Sequence, residues 1–216
     1  MSEGVLEITA RSLLISGSAT ILATSWSLPA SILLSERERA PRIVIPIVES
    51  IVGMPTVLVG LLLYMALSSS GPLGYLNLLY TPYAIILGQA ILVTPLLISV
   101  LYRVLREATR VYGELAESLG ADAWQRRATV LSQSLSGLMG AIVMSFSRAI
   151  GELGVALMVG GNISGYTRVM TTAIALEVSK GNFELAASLG MILLSISALV
   201  SIALRLLGAT RLGDNP

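Results

Sequence analysis

Hydrophobic and polar positions fall in long blocks along this chain, not in a short alternation. Ser12–Ser35 runs without a charge. A helix needs roughly 20 mostly apolar residues to cross a bilayer, so this run predicts a first membrane span with Pro29 near its end. "ERERAPR" (Glu36–Arg42) follows as a short charged connection. Ile43–Leu67 predicts a second span, interrupted by "GMP" at Gly53–Pro55. Ser68–Pro82 is an uncharged linker with turn signals at Gly71-Pro72 and Gly74. Pro82–Tyr102 predicts a third span, which contains Pro95. Arg103–Arg127 is too polar to enter lipid. Leu131–Gly160 predicts a fourth span and Leu185–Leu207 a fifth. Between them, Gly160–Glu184 has an apolar middle suited to a short helix that does not span. The expected architecture is an all-α membrane protein of about five spans. Residues 1–216 form one membrane domain, with a polar loop at 103–130 and an opposite loop at 160–184.

Composition sharpens this picture. Only 12% of the 216 residues are charged and 54% are hydrophobic; mean hydropathy is +0.81. A soluble domain is about a quarter charged. A net charge of +1 with no basic block gives nucleic acid no footing. Without cysteine or histidine, disulfides, thiolate metal sites and the commonest metal ligand and general base are excluded. "MSEGVLEITAR" lacks a basic leader region, and the apolar run behind it is too long for a cleaved signal, so the first span is expected to stay in the mature protein.

Arginine and lysine orient the spans. With the central polar segment in the cytoplasm, the inner side holds Arg37, Arg39 and Arg42, then Arg103, Arg106, Arg110, Arg126 and Arg127, and finally Arg205 and Arg211. The outer side holds only Arg11, Arg168 and Lys180. The N-terminus is thus expected outside and the C-terminus in the cytoplasm. Five spans without an internal repeat do not divide into the two inverted halves of many secondary transporters. Pairing with a second copy of the chain is the simpler route to a pathway.

The polar segment "ELAESLGADAWQRRATVL" (Glu114–Leu131) reads as two short helices hinged at Gly120. Leu115 and Leu119 share a face with Ala116, beside Glu114 and Glu117. Gly120 suits a left-handed helix end, followed by Ala121. Asp122 is placed to cap a new helix from Ala123, which offers Trp124, Arg127 and Ala128 on one side. The spacing Glu114, Ala116, Gly120, in a cytoplasmic loop between two late spans, resembles the EAA motif of ABC importer permeases. Two departures are visible: Leu115 stands for the second alanine, and Val130-Leu131-Ser132-Gln133 for the later Ile-x-Leu-Pro. "GMPTVLVGLLLYMALSSSGPLG" (Gly53–Gly74) and Ser147–Gly190 are similar to permeases of tungstate-type ABC importers, with molybdate and sulfate permeases as nearest relatives. The resemblance runs from about Ile43 to Leu204.

That resemblance implies a type I ABC importer permease fold in a prokaryotic cell membrane, with a coupling helix at Glu114, Ala116, Gly120, Ala121, Asp122, Trp124 and Arg127. It implies a homodimer, two ATPase subunits that bind ATP and Mg, and an external oxyanion-binding protein. The chain itself is then a non-catalytic transport subunit with no cofactor or metal. No Walker phosphate loop is present. A secondary transporter would call for paired broken spans, and a membrane enzyme for converging acid–base groups.

Ionisable residues within spans must face protein or water, because each costs about 2.5–3.5 kcal/mol or more at a lipid-facing helix centre. Arg148 and Glu152, at i,i+4, either neutralise one another in the bundle or place Arg148 along an anion's path, its field largely cancelled by Glu152. Glu49 either bonds within its bundle or lies near the cytoplasmic interface. "MPTVLVG" matches the family stretch whose helix lines the pathway, which makes Met54, Pro55, Val57 and Leu58 candidates for an apolar gate. "GGN" (Gly160, Gly161, Asn162) is either a backbone nest that meets an oxyanion or a plain turn. The 160–184 loop faces the binding protein on this reading, with Arg168, Glu177 and Lys180 as contacts.

Overall fold

In hydrocarbon each backbone N–H and C=O must be paired within the protein, so charge-free runs of this length become helices. The computed structural model describes residues 4–37 and 40–210, leaving out the side chains of 40, 41, 204, 205 and 207–210. Among the described residues there are helices and no strand. They are α1 (Val5–Ser35), α2 (Ala40–Val52), α3 (Thr56–Leu67), α4 (Pro82–Ala108), α5 (Glu114–Ser118), α6 (Ala123–Ile150), α7 (Gly154–Gly160), α8 (Met170–Ser179) and α9 (Phe183–Thr210). Among the described residues four helices are long and apolar enough to cross a membrane, or five if α2 and α3 count as one broken span. Of the residues counted toward the inner side, Arg39 and Arg211 lie outside the described residues, as does the Arg205 side chain.

Several boundaries depart from expectation. α1 begins at Val5 instead of Ser12, because a helix of 31 residues is about 46 Å long and its charged first turns need not enter lipid. The second span is not one straight crossing: α2 and α3 are bent by 96°. Pro55, which has no N–H to give, stands at the start of α3. The central polar segment is not a pair of separate short helices. α4 continues through a π-helical turn at Thr109–Gly113 into α5, and α6 begins at once after the Gly120 turn, so the segment is made from the ends of two long helices.

The fourth span does not reach Gly160 as one helix. α6 stops at Ile150, and α7 starts anew at Gly154. Glu152 explains the break: its carboxylate accepts from the Val155 N–H at 3.1 Å, which caps the new helix. The short helix expected inside the 160–184 loop is α8.

The chain divides into two packed units. One comprises residues 4–22, Met54–Val93 and Phe146–Val200. Its core gathers Ile15, Val59, Leu63, Leu67, Ala84, Ile85, Val155, Ala156 and Val159; Ile8, Met170, Ala173 and Leu189 form a second cluster. The other comprises Ala23–Gly53, Thr94–Ser145 and residues 201–210, so far as they are described. Leu97, Leu101, Leu105, Ala108, Val130, Leu138 and Ala141 make its core, with Leu28, Ile32 and Leu131 packed against it.

Candidate functional site

The turn between α5 and α6 satisfies its own backbone. The Gly120 N–H donates to Glu117 O and the Ala121 N–H to Ala116 O, both at 3.0 Å, the paired closure of a Schellman motif. Gly120 has φ +82°, a conformation that side chains resist. Asp122 Oδ1 then accepts from the Trp124 and Gln125 N–H groups at 2.8 Å. Gln125 Oε1 returns the bond to the Asp122 N–H at 2.9 Å, completing a reciprocal capping box. The expected left-handed Gly120 and the Asp122 cap are both present. Ala116 is buried, which explains a small residue there; Glu114 is exposed.

This rigid hairpin carries apolar side chains into the open. Leu119 is 80% exposed and Trp124 77%, with Leu115 and Val111 also exposed. A groove of about 330 Å³ runs between Tyr112, Leu115, Ala116, Leu119, Gly120, Ala121, Gln125 and Thr129. Apolar side chains are thus gathered in the open on an otherwise polar segment. The two arms are tied at the base, where Arg126 Nε lies 2.9 Å from Glu117 Oε1. Arg127 forms a fork with Glu36, Nε to Oε1 at 2.7 Å and Nη2 to Oε2 at 2.9 Å. That hydrogen-bonded guanidinium holds the Glu36 carboxyl below its ordinary value, outweighing the opposing effect of burial. Sequence reasoning did not single out Glu36, Arg126 or Tyr112. The fork joins residues far apart in the chain, so no local pattern announces it; the exposed leucines were the readable signal.

The pathway candidates are spread over two settings. At the start of α3, Met54 packs against the core, while Val57 and Leu58 are 57% and 41% exposed. Pro55 precedes them and accepts from the Leu58 N–H at 3.0 Å. The α3 start meets the α7 start closely: a Cβ on Gly154 would sit 2.7 Å from Thr56 Oγ1 and 3.0 Å from the Val57 nitrogen. Arg148 and Glu152 do pair, Nη1 to Oε2 at 2.7 Å, but unequally. Glu152 is 2% exposed and the Arg148 side chain 40%. Glu49 of α2 pairs with Arg103 of α4 at 2.5 Å, within one packed unit.

In the 160–184 loop, Gly161 (φ +68°) and Asn162 (φ +52°) turn the chain. The Gly161 N–H donates to Leu157 O, and Thr167 Oγ1 donates to Gly160 O at 2.5 Å. Arg168 Nε donates to Asn162 Oδ1 at 3.2 Å. The Gly161 amide is therefore spent on closing α7. Glu177 receives Lys180 and Asn182, and these bonds hold its carboxyl below the ordinary value. Among the described residues no group of three or more Asp or Glu is placed to hold a metal ion.

Residues 21–211 match the family described as binding-protein-dependent transport system inner membrane component. The chain belongs to this family. It is a multi-pass membrane permease of a transport system that works with ABC partners and a binding protein. The permease is 38% identical over 187 residues to the tungstate uptake system permease protein of Peptoclostridium acidaminophilum, covering 86% of this chain and 82% of that protein. It is 36% identical over 198 residues to a probable anion ABC transporter permease protein of Haloferax volcanii, covering 89% and 85%. A sulfate transport system permease protein of Escherichia coli is 29% identical over 155 residues, covering 68% and 56%.

Proposed function

We propose that this permease moves tungstate from an external oxyanion-binding protein to the cytoplasm, driven by ATP that a separate subunit hydrolyses. The observation that carries the coupling part is the capped hairpin at Glu114–Gln125, with Leu119 and Trp124 exposed at its tip. The similarity to a tungstate uptake permease over 86% of the chain supports the substrate. Ala116, Gly120, Ala121, Asp122, Trp124 and Arg127 make the handle that the ATPase grips. ATP and Mg are bound by that ATPase and not by this chain.

Two copies of the permease assemble with two ATPase subunits. Val57 and Leu58 lie on the surface of one chain, so a gate built from them needs a second chain opposite. The N-terminus lies outside and the C-terminus in the cytoplasm. Closure of the ATPase dimer on ATP moves the hairpins and favours the outward-facing state, a population shift by differential binding. The 160–184 loop, with Arg168, then receives the loaded binding protein.

The test is uptake into proteoliposomes holding this chain, its ATPase and its binding protein. Tungstate uptake that requires ATP and resists excess sulfate is the expected result. Stronger competition by molybdate or sulfate than by tungstate reassigns the anion, and uptake without ATP removes the importer reading altogether.

A further inference from the structure

α1 ends at Ser35, and its end is tied to both arms of the coupling hairpin. On the α4 side, Arg106 Nη1 donates to the carbonyls of Ser35 at 2.9 Å and Arg37 at 3.4 Å. On the α6 side the tie is the Arg127–Glu36 fork, one turn beyond Trp124. Between α1 and α6 at this level lies a cavity of about 470 Å³, whose lining includes Ile32, Leu33, Leu105, Val130 and Leu131, with Glu36 and Arg127 also on its wall. Leu28 and Ile32 of α1 share a core with Val130 and Leu138 of α6; at the very end of α1, beside this opening, the fork is the polar link to α6. Isolated surface ion pairs contribute little. This one is forked, which fixes direction as well as distance, and its carboxylate side chain is only 22% exposed.

We infer that Glu36 is a positioning residue for energy coupling: through its fork with Arg127 it makes the end of α1 follow the coupling hairpin, so that ATPase motion reaches the first span. The inference rests on the importer reading above. A push at the hairpin tip tilts the start of α6, and Arg127 moves with that helix. Contact alone carries this motion weakly to the last turn of α1, where the cavity lies beside Leu33 and Glu36. With the fork present, α1 is drawn along; without it, part of the stroke is lost in the cavity.

The experiment compares wild type with Glu36→Gln in the complete reconstituted complex, reading tungstate taken up per ATP hydrolysed. The expected result is a loss of about five-fold or more in that ratio, with the ATPase still bound and still hydrolysing. A merely structural role would lower the amount of intact complex and leave the ratio alone, and that result overturns the inference. Because the chain contains no cysteine, Glu36→Cys with Arg127→Cys gives a second arm. Joining the two thiols with a short bifunctional linker is expected to raise the ratio above that of the unlinked double variant, both read on complexes that have kept their ATPase. A linked complex no better than the unlinked one counts against the strap. Wild-type complex with no ATP-dependent uptake overturns the importer reading and the strap with it, whereas normal wild type beside normal Glu36→Gln overturns the strap alone.

Discussion

A carboxylate as buried as that of Glu152 persists only because both oxygens are occupied. Oε2 takes Arg148 at 2.7 Å and Oε1 takes the Val155 N–H at 3.1 Å, while the Glu152 carbonyl receives Thr171 Oγ1 at 2.9 Å. One residue thus ends α6, starts α7 and anchors α8. Glu152→Gln keeps an oxygen for Val155 but loses the ionic bond, at a cost of about 1–2 kcal/mol; Glu152→Ala loses both and costs about 3 kcal/mol. Thermal midpoints of the purified protein in detergent should fall in that order, and equal midpoints would remove the capping role. Glu36 makes a pH prediction. Its carboxyl is held below the ordinary value of 4.5 by Arg127, so the stabilisation it brings is present above that value and is lost as pH falls through the lower folded one. The stability difference between wild type and Glu36→Gln should stay constant from neutral pH to about 5 and shrink only below the ordinary carboxylate range. A difference that vanishes near pH 6 would mean the fork does not form.

At the scale of elements, the hairpin proposed for coupling depends on conformation more than on space. Nothing lies within 4 Å of a Cβ built on Gly120, yet its φ is +82°. Gly120→Val should therefore fail through backbone strain, while Gly120→Asn, a residue that tolerates the left-handed region, should retain most ATP-driven uptake. Equal loss in both would point to a contact made by the bare backbone instead. Asp122→Ala should weaken the turn by about 1 kcal/mol. This hairpin was legible because its signals are local: a glycine, a capping aspartate, and leucines out of place in a polar run. The break in the fourth span was not. Leu153–Gly160 is as apolar as what precedes it, and the interruption arises where the buried Glu152 carboxylate caps α7, beside the close approach of Gly154 to Thr56 of another helix. In α2 and α3 the proline and glycine announced a bend, but its size of 96° depends on what each half packs against. The π-helical turn at Thr109–Gly113 likewise has no sequence mark of its own; there Gly113 lies against the Arg126 guanidinium and Val130.

For the whole molecule, the decisive question is where the proposed anion would pass. Val57 and Leu58 stand on the open side of α3, and Leu61, Leu62 and Met65 continue that exposed face, while Val59 and Leu63 hold the opposite face in the core. A single chain thus turns its candidate gate outward. Lipid facing that surface would need no gate; a second permease facing it would enclose a path lined by both copies of α3, as twofold pairing brings like against like. Single cysteines at Val57→Cys and Leu58→Cys, in a chain that has none of its own, should then join copy to copy through a short bifunctional thiol reagent. Leu194→Cys on α9, 73% exposed, serves as the contrast and should not. If alternating access is the mechanism, joining at position 57 or 58 should change by about five-fold or more when ATP holds the ATPase subunits closed, because the gate opens and shuts between those states. Joining at Leu194 alone would place the axis on α9 and take α3 out of the pathway.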